Sequence, residues 1–235
     1  MNTQIHKSET RGHANHGWLD THHTFSFGMY HDSSRMHFGM LRVLNDDIVI
    51  GGAGFGKHGH DNMEIISIPL KGSLAHTDST GNEGIISTSD VQIMSAGTGI
   101  MHAEYNASES ELVNFLQLWI FPKERNIEPR YDQMRFDHDK LKNQLCPIVS
   151  NNPSIEALRI NQDASLYLGE FDESKIVKHH MASTKHGVYV FVIEGMVTIS
   201  GQELQRRDGM GIQDEESVLM HIASNSKILL IEVPV

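Results

Sequence analysis

Three blocks of this chain occur twice in the same order, and no other feature limits the fold as strongly. Residues 65–77, a strand, a Lys71-Gly72 turn and a returning strand, are matched by residues 188–200. Residues 90–102 are matched by 207–221, and residues 114–122 by 227–234. An ordered recurrence of this kind marks an internal duplication. Within each copy short apolar runs alternate with turns and helical periodicity is absent, so each unit is expected to be an all-β barrel of short antiparallel strands. The expected division is 1–122 for the first barrel, 123–144 for a connector and 145–235 for the second barrel.

Several local expectations follow from periodicity. Residues 24–27 alternate polar and aromatic, which predicts a half-buried strand, with Trp18, Phe25 and Phe27 as a hydrophobic clasp over a core. Asn45-Asp46-Asp47 reads as a turn between a strand at 38–44 and another at 48–50. Pro69 cannot donate to a ladder, so its strand is expected at an edge or with a bulge. A short helix is predicted over 137–145 of the connector. Strands at 145–148, 157–160 and 165–171 then open the second barrel.

Charge and cysteine content exclude some functions. With 30 acidic against 19 basic residues the net charge is -11, which repels phosphate backbones and disfavours direct nucleic-acid binding. Arg206-Arg207 is the only adjacent basic pair and reads as a solvated turn. The single cysteine, Cys146, excludes an internal disulfide and any multi-cysteine metal site, and suits a reducing compartment. The first ten residues are polar, and no run nears the roughly 18 apolar residues of a membrane span. No membrane association and a cytoplasmic location are the expectations.

The chemistry concentrates in two His-bearing strands. His58 and His60 are separated by one residue, and in a strand such positions share a face roughly 6.5 Å apart. Metal–nitrogen bonds of about 2.0–2.1 Å let both imidazoles reach one ion. His102 and Glu104 repeat that spacing in a second segment. If the two strands face each other inside one barrel, three nitrogens and a carboxylate oxygen converge. That set suits a first-row divalent ion with open positions, whereas a structural zinc site would more often use thiolates.

At these residues the chain resembles the cupin superfamily. Its first motif, Gly-x5-His-x-His-x3,4-Glu-x6-Gly, fits Gly52, His58, His60 and Glu64, with Gly72 one position late. Its second, Gly-x5-Pro-x-Gly-x2-His-x3-Asn, fits Gly99, His102 and Asn106, while Val91 and Gly97 replace its first glycine and its proline. Along nearly its whole length the chain resembles the pirin branch, through His16-Gly17-Trp18-Leu19, His23-Thr24-Phe25-Ser26-Phe27, residues 58–64 and residues 95–106.

The resemblance implies a bicupin, two tandem double-stranded β-helix (jelly-roll) barrels with metal only in the first. The second unit has adjacent His179-His180, and Ala223 stands where a second-motif Glu would be needed after His221. It also implies His58, His60, His102 and Glu104 as ligands, with Glu64 an acceptor that orients one of them. The expected cofactor is one divalent transition metal per chain, Fe(II) favoured over Ni, Mn, Co, Cu or Zn. Some members of the family resemble quercetin 2,3-dioxygenases, which open a flavonol ring with O2 and release carbon monoxide. On that reading a small aromatic substrate and O2 are the partners and Glu104 is the catalytic proton acceptor. Phe55, Trp18 and Phe27 would then line the entrance, or else pack the core. The alternative is a non-catalytic metal-binding pirin, a redox-sensitive regulatory module working through protein partners. A cupin isomerase or hydrolase is the third possibility, since fold alone does not set chemistry.

Overall fold

The computed structural model describes residues 2–235. In the first half the strands are β1 (Asn2–His6), β2 (Gly12–Asn15), β3 (Leu19–His23), β4 (Leu41–Val49), β5 (Gly54–His60) and β6 (Glu64–Lys71). They continue with β7 (Ser73–Asp78), β8 (Glu83–Ser87), β9 (Asp90–Ser95), β10 (Ile100–Asn106), β11 (Val113–Ile120) and β12 (Arg130–Arg135). A one-turn helix α1 (His138–Leu141), capped by the Asp137 carboxylate on the Asp139 amide, is all that forms of the helix predicted over 137–145. The second half holds β13 (Cys146–Ser150), β14 (Leu158–Arg159), β15 (Ser165–Phe171), β16 (Lys175–His180) and β17 (His186–Glu194). It ends with β18 (Met196–Ile199), β19 (Gln202–Gln205), β20 (Gly209–Gln213), β21 (Ser217–Ile222) and β22 (Ser226–Pro234).

These strands build the same object twice. One barrel joins a seven-stranded sheet, β12-β9-β6-β11-β4-β3-β2, to a four-stranded sheet, β5-β10-β7-β8. The other joins β1-β20-β17-β22-β15-β13-β14 to β16-β21-β18-β19. Stripped of their edges, β9-β6-β11-β4 and β20-β17-β22-β15 are the same order, as the duplicated blocks require. The fold is therefore the expected all-β bicupin. Its edges, however, cross the expected spans. β1 pairs with β20 of the second barrel, and β12, inside the expected connector, pairs with β9 of the first. An unpaired sheet edge presents a row of free N–H and C=O groups; the second barrel has one edge covered by β1 from the start of the chain, and the first has one covered by β12 of the connector.

The largest core lies between the barrels. Leu44, Ile66, Ile93, Leu116 and Leu118 of the first large sheet pack against Leu166, Phe191, Leu229 and Ile231 of the second. A buried ion pair crosses the same boundary: Arg207 Nε donates to Asp46 Oδ2 at 2.6 Å. Arg207 is 5% exposed and has a left-handed backbone, so its expected place in a solvated turn is corrected.

Three other expectations change. Asn45-Asp46-Asp47 is not a turn; it is the middle of the continuous strand β4, with Asn45 and Asp47 on one face and Asp46 turned to Arg207. Residues 24–27 are not a strand but a bend closed by a bridge between Phe27 and Tyr30. Pro69 lies in β6, an interior strand, and sits at a register shift against β11, so the bulge rather than the edge accommodates it.

The two barrels differ most inside. Gln92, Ser67, Gln117, Asn45 and His23 form one cross-strand row over β9, β6, β11, β4 and β3. The matched row of the second barrel is Met210, Val190, Leu230, Tyr167 and Pro147. There Val190, Met210 and Leu230 join a closed apolar interior with Ile212, Met220 and Ile222. Each such side chain contributes about 1.5–3 kcal/mol by leaving water. The first barrel forgoes that filling and is hollow in its place.

Candidate metal centre and cavity

β5 and β10 lie side by side, with His58 directly opposite His102. The register shifts between His102 and Glu104, a bulge on β5 at Gly56-Lys57 that re-aims the strand carrying the two histidines. Gly54 is needed just beyond it, because a Cβ there would stand 2.4 Å from the Glu104 carbonyl oxygen. The three imidazoles form a triangle, with ring centroids 4.4 Å (His58–His102), 4.9 Å (His58–His60) and 5.0 Å (His60–His102) apart. One nitrogen from each falls within 4.8 Å of the others.

The protonation states suit ligands. His58 Nδ1 donates to the Gly56 carbonyl at 2.8 Å, which leaves Nε2 with its lone pair free. Burial, reinforced by the neighbouring histidines, lowers His60 to about 4 and His102 to about 3, so both rings are neutral near pH 7. His102 is 1% exposed, and neither of its nitrogens has a hydrogen-bond partner. A buried imidazole with both nitrogens unpaired is costly, and an ion bound by this triangle satisfies one of the two. The residues present therefore fit a divalent transition metal.

The carboxylates separate cleanly. Glu104 is buried, with Oε1 accepting from Ser67 Oγ at 3.0 Å and Oε2 from Gln117 Nε2 at 2.8 Å. Its ligand atom groups within 4.8 Å of nitrogens on His102 and His76, so His102 is shared between two overlapping triads. Glu64 faces away from the barrel interior. Its Oε2 accepts from Ser95 Oγ at 2.8 Å and from the Asn161 amide at 3.1 Å, a link to the second barrel. These contacts hold no ligand histidine, which corrects the expected orienting role of Glu64.

His76 escaped the sequence reading. It lies on β7 directly opposite Glu104, stacks on Tyr131 at 4.7 Å and meets Asp78 Oδ2 through Nε2 at 3.3 Å. A lone His in a returning strand carries no signal of its own; only its cross-strand register with Glu104 reveals it. Ser67 and Gln117 are equally silent in sequence, yet both hold the Glu104 carboxylate, and Val190 and Leu230 stand at their matched positions in the second barrel.

A cavity of about 810 Å3 opens beside His58 and His60. Trp18, Phe27, Tyr30, Phe55 and Trp119 wall it, so the three aromatics assigned to either the entrance or the core do line it. Trp119 stands edge-on to His60 at 4.9 Å and to Phe27 at 5.3 Å, and its indole N–H donates to Gln117 Oε1 at 3.2 Å. Two further groups carry possible ligand atoms. His13, Asp20 and His22 cluster on the β2–β3 hairpin, where His13 and Asp20 are exposed at 51% and 38% of their side chains. In the second barrel His179 and His186 bind opposite oxygens of Glu232 at 2.7 and 2.8 Å. Among the described residues no triad of ligand atoms converges in that second barrel, and none of the helices is long and apolar enough to cross a membrane.

The chain matches the Pirin family model over residues 4–120 and the model described as the quercetinase C-terminal cupin domain over 147–233. It is 43% identical over 230 residues to the quercetin 2,3-dioxygenase of Escherichia coli strain K12, covering 98% of each chain. The crystal structure of the E. coli bacterial pirin YhhW in complex with nickel(II) superposes with a TM-score of 0.93 at 40% identity over 99% of both chains. A quercetin 2,3-dioxygenase from Acinetobacter baumannii shares the fold at a TM-score of 0.77 and 16% identity, over 99% of this chain and 79% of that one.

Proposed function

The chain belongs to the pirin family, and from that premise we propose that it is a metal-dependent dioxygenase of flavonol-like substrates, opening the heterocyclic ring with O2 and releasing carbon monoxide. One observation carries the reading: a cavity of about 810 Å3, walled by aromatic rings, stands directly against His58 and His60 of the histidine triangle. A metal site serving only a regulatory surface has no use for such a chamber. The ligands we assign are His58, His60, His102 and Glu104, holding one divalent transition metal per chain. A nickel(II) complex is known for the similar E. coli pirin, and the donor set accommodates Fe(II) equally.

Held by these residues, a divalent metal would supply Lewis acidity that lowers the pKa of a substrate hydroxyl. The chain's own residues do the rest. Glu104 takes the proton of the flavonol hydroxyl; each of its oxygens already accepts one hydrogen bond, from Ser67 or Gln117, so that with one oxygen's second lone pair given to the metal the other's is left for that proton. The Ser67 and Gln117 contacts fix the carboxylate before substrate arrives. Trp119, Phe27 and Phe55 confine a planar ring system and exclude water from the reacting face.

The test is direct. Protein loaded separately with Fe(II), Ni(II), Mn(II), Co(II), Cu(II) or Zn(II) is given quercetin, and oxygen uptake, loss of flavonol absorbance and carbon monoxide are followed together. At least one metal form should give all three. If none consumes oxygen or bleaches quercetin, the dioxygenase reading fails and the regulatory one takes its place.

A further inference from the structure

The cavity holds a second polar group that the proposed chemistry does not use. Thr21 and His23 on β3 stand directly opposite Asp47 and Asn45 on β4, and all four line the cavity while being 3–5% exposed. Thr21 Oγ1 donates to Asp47 Oδ1 and lies 3.4 Å from His23 Nδ1, and His23 Nδ1 lies 3.0 Å from Asn45 Oδ1. The four are thus one hydrogen-bonded strip.

We propose that this strip, Thr21–Asp47 and His23–Asn45, is a substrate subsite that accepts a phenolic hydroxyl other than the one presented to the histidine triangle. The proposal rests on the dioxygenase reading and adds to it a preference for polyhydroxylated aromatics.

The acceptor character follows from the hydrogen bonds. With the Asn45 amide placed so that its oxygen faces His23, Nδ1 carries the ring proton and Nε2 keeps its lone pair. Burial, the largest influence on His23, lowers its pKa and so favours the neutral ring. Asp47 Oδ1 is engaged by the Thr21 hydroxyl, which leaves Oδ2 to receive a further donor. Aromatic rings frame these acceptors: His23 lies 5.3 Å from Phe27 and 6.5 Å from Tyr30. Tyr30 in turn is seated on Gly12, where a Cβ would come within 2.3 Å of its ring. A flat ring carrying an outward O–H matches that frame.

A purely architectural role explains the strip poorly. A carboxyl buried in a sheet is costly when its neighbours could be apolar. At the positions matched to Asn45 and Asp47 the second barrel has Tyr167 and Gly169, so the duplicated scaffold closes without either. The strip occurs only in the barrel that carries the histidine triangle and the hollow.

The chain's two tryptophans, Trp18 and Trp119, both line the cavity, so ligand binding is read from their fluorescence without turnover. Nickel-loaded protein is titrated anaerobically at pH 8 with quercetin, hydroxylated on every ring, and with 3-hydroxyflavone, which has only the metal-directed hydroxyl. Wild type should bind quercetin at least tenfold more tightly. In Asp47→Asn, which keeps an acceptor for Thr21 but gives the ligand a competing donor, the ratio of the two Kd values should fall about tenfold, the scale of a hydrogen bond to a charged group. Thr21→Val should lower the ratio and Thr21→Ser restore it. An unchanged ratio in Asp47→Asn and Thr21→Val, or equal loss for both ligands, overturns the subsite while leaving the dioxygenase reading intact. Failure of wild type to bind either flavonol overturns both.

Discussion

Replacing Gln117 by leucine, the residue at the matched position of the second barrel, isolates the support given to Glu104. The change removes the 2.8 Å bond from Gln117 Nε2 to Glu104 Oε2 and deprives the Trp119 indole N–H of its 3.2 Å acceptor. A hydrogen bond to a charged group contributes about 1.5–3 kcal/mol. Loss of a partner that orients a ligating carboxylate typically lowers metal affinity 10–100-fold, or about 1.4–2.7 kcal/mol. The two scales agree, and since Ser67 still holds Oε1 at 3.0 Å, we expect a loss of roughly thirtyfold, in the middle of that range. Leucine adds apolar burial that offsets part of the lost hydrogen bonding, so the melting temperature of the metal-free protein should change little by comparison. The assay is competition for Ni(II) against a chelator of known affinity, followed by the combined emission of Trp18 and Trp119. A dissociation constant within about threefold of wild type would refute the argument, because it would mean that Glu104 is not held for metal binding through Gln117.

Two further outcomes follow from the buried carboxylates. Glu104→Gln should strip the purified protein of most of its metal, while Glu64→Gln, whose contacts are Ser95 and the Asn161 amide, should retain it; elemental analysis showing equal or reversed losses would contradict the ligand set. Burial, partly opposed by the Thr21 hydroxyl, raises the Asp47 carboxyl from 3.8 to about 7. Between those values the unfolded chain is ionised and the folded one still protonated, so this group lowers stability as pH rises through the window, by up to about 1.4 kcal/mol per pH unit. Asp47→Asn should therefore gain on wild type in urea midpoint from pH 4 to pH 7, and a constant gap across that range would reject the assignment.

The duplication, the barrels and the histidine triangle were legible because each leaves a linear trace: repeated order, alternation, and paired spacing at His58, His60 and His102. What was illegible depends on neighbours far along the chain. Asn45-Asp46-Asp47 has the composition of a turn, and its strand geometry is imposed by tertiary partners, with Asp46 held by Arg207, 161 residues away, and Asp47 by Thr21. Arg207 read as solvated for the same reason. Glu64 shares the parity of His60 in sequence, but the chain changes sheets between β5 and β6, so parity carries no information across that break. His76, Ser67 and Gln117 become visible only through register with Glu104 or with one another.

The crossing of β1 to the second barrel also sets a schedule for synthesis. Thr3 pairs with Ile212, so β1 emerges from the ribosome some 209 residues before its partner strand exists. At about 5–20 residues per second that is a wait of roughly 10–40 s. A waiting strand is a template for unwanted pairing, and this one carries little to reward it: Asn2, Thr3 and Gln4 are polar and remain exposed even after docking, and only His6 becomes buried. β1, made long before β20, is thus among the last strands to be placed, and its composition is that of a strand able to stay soluble until then.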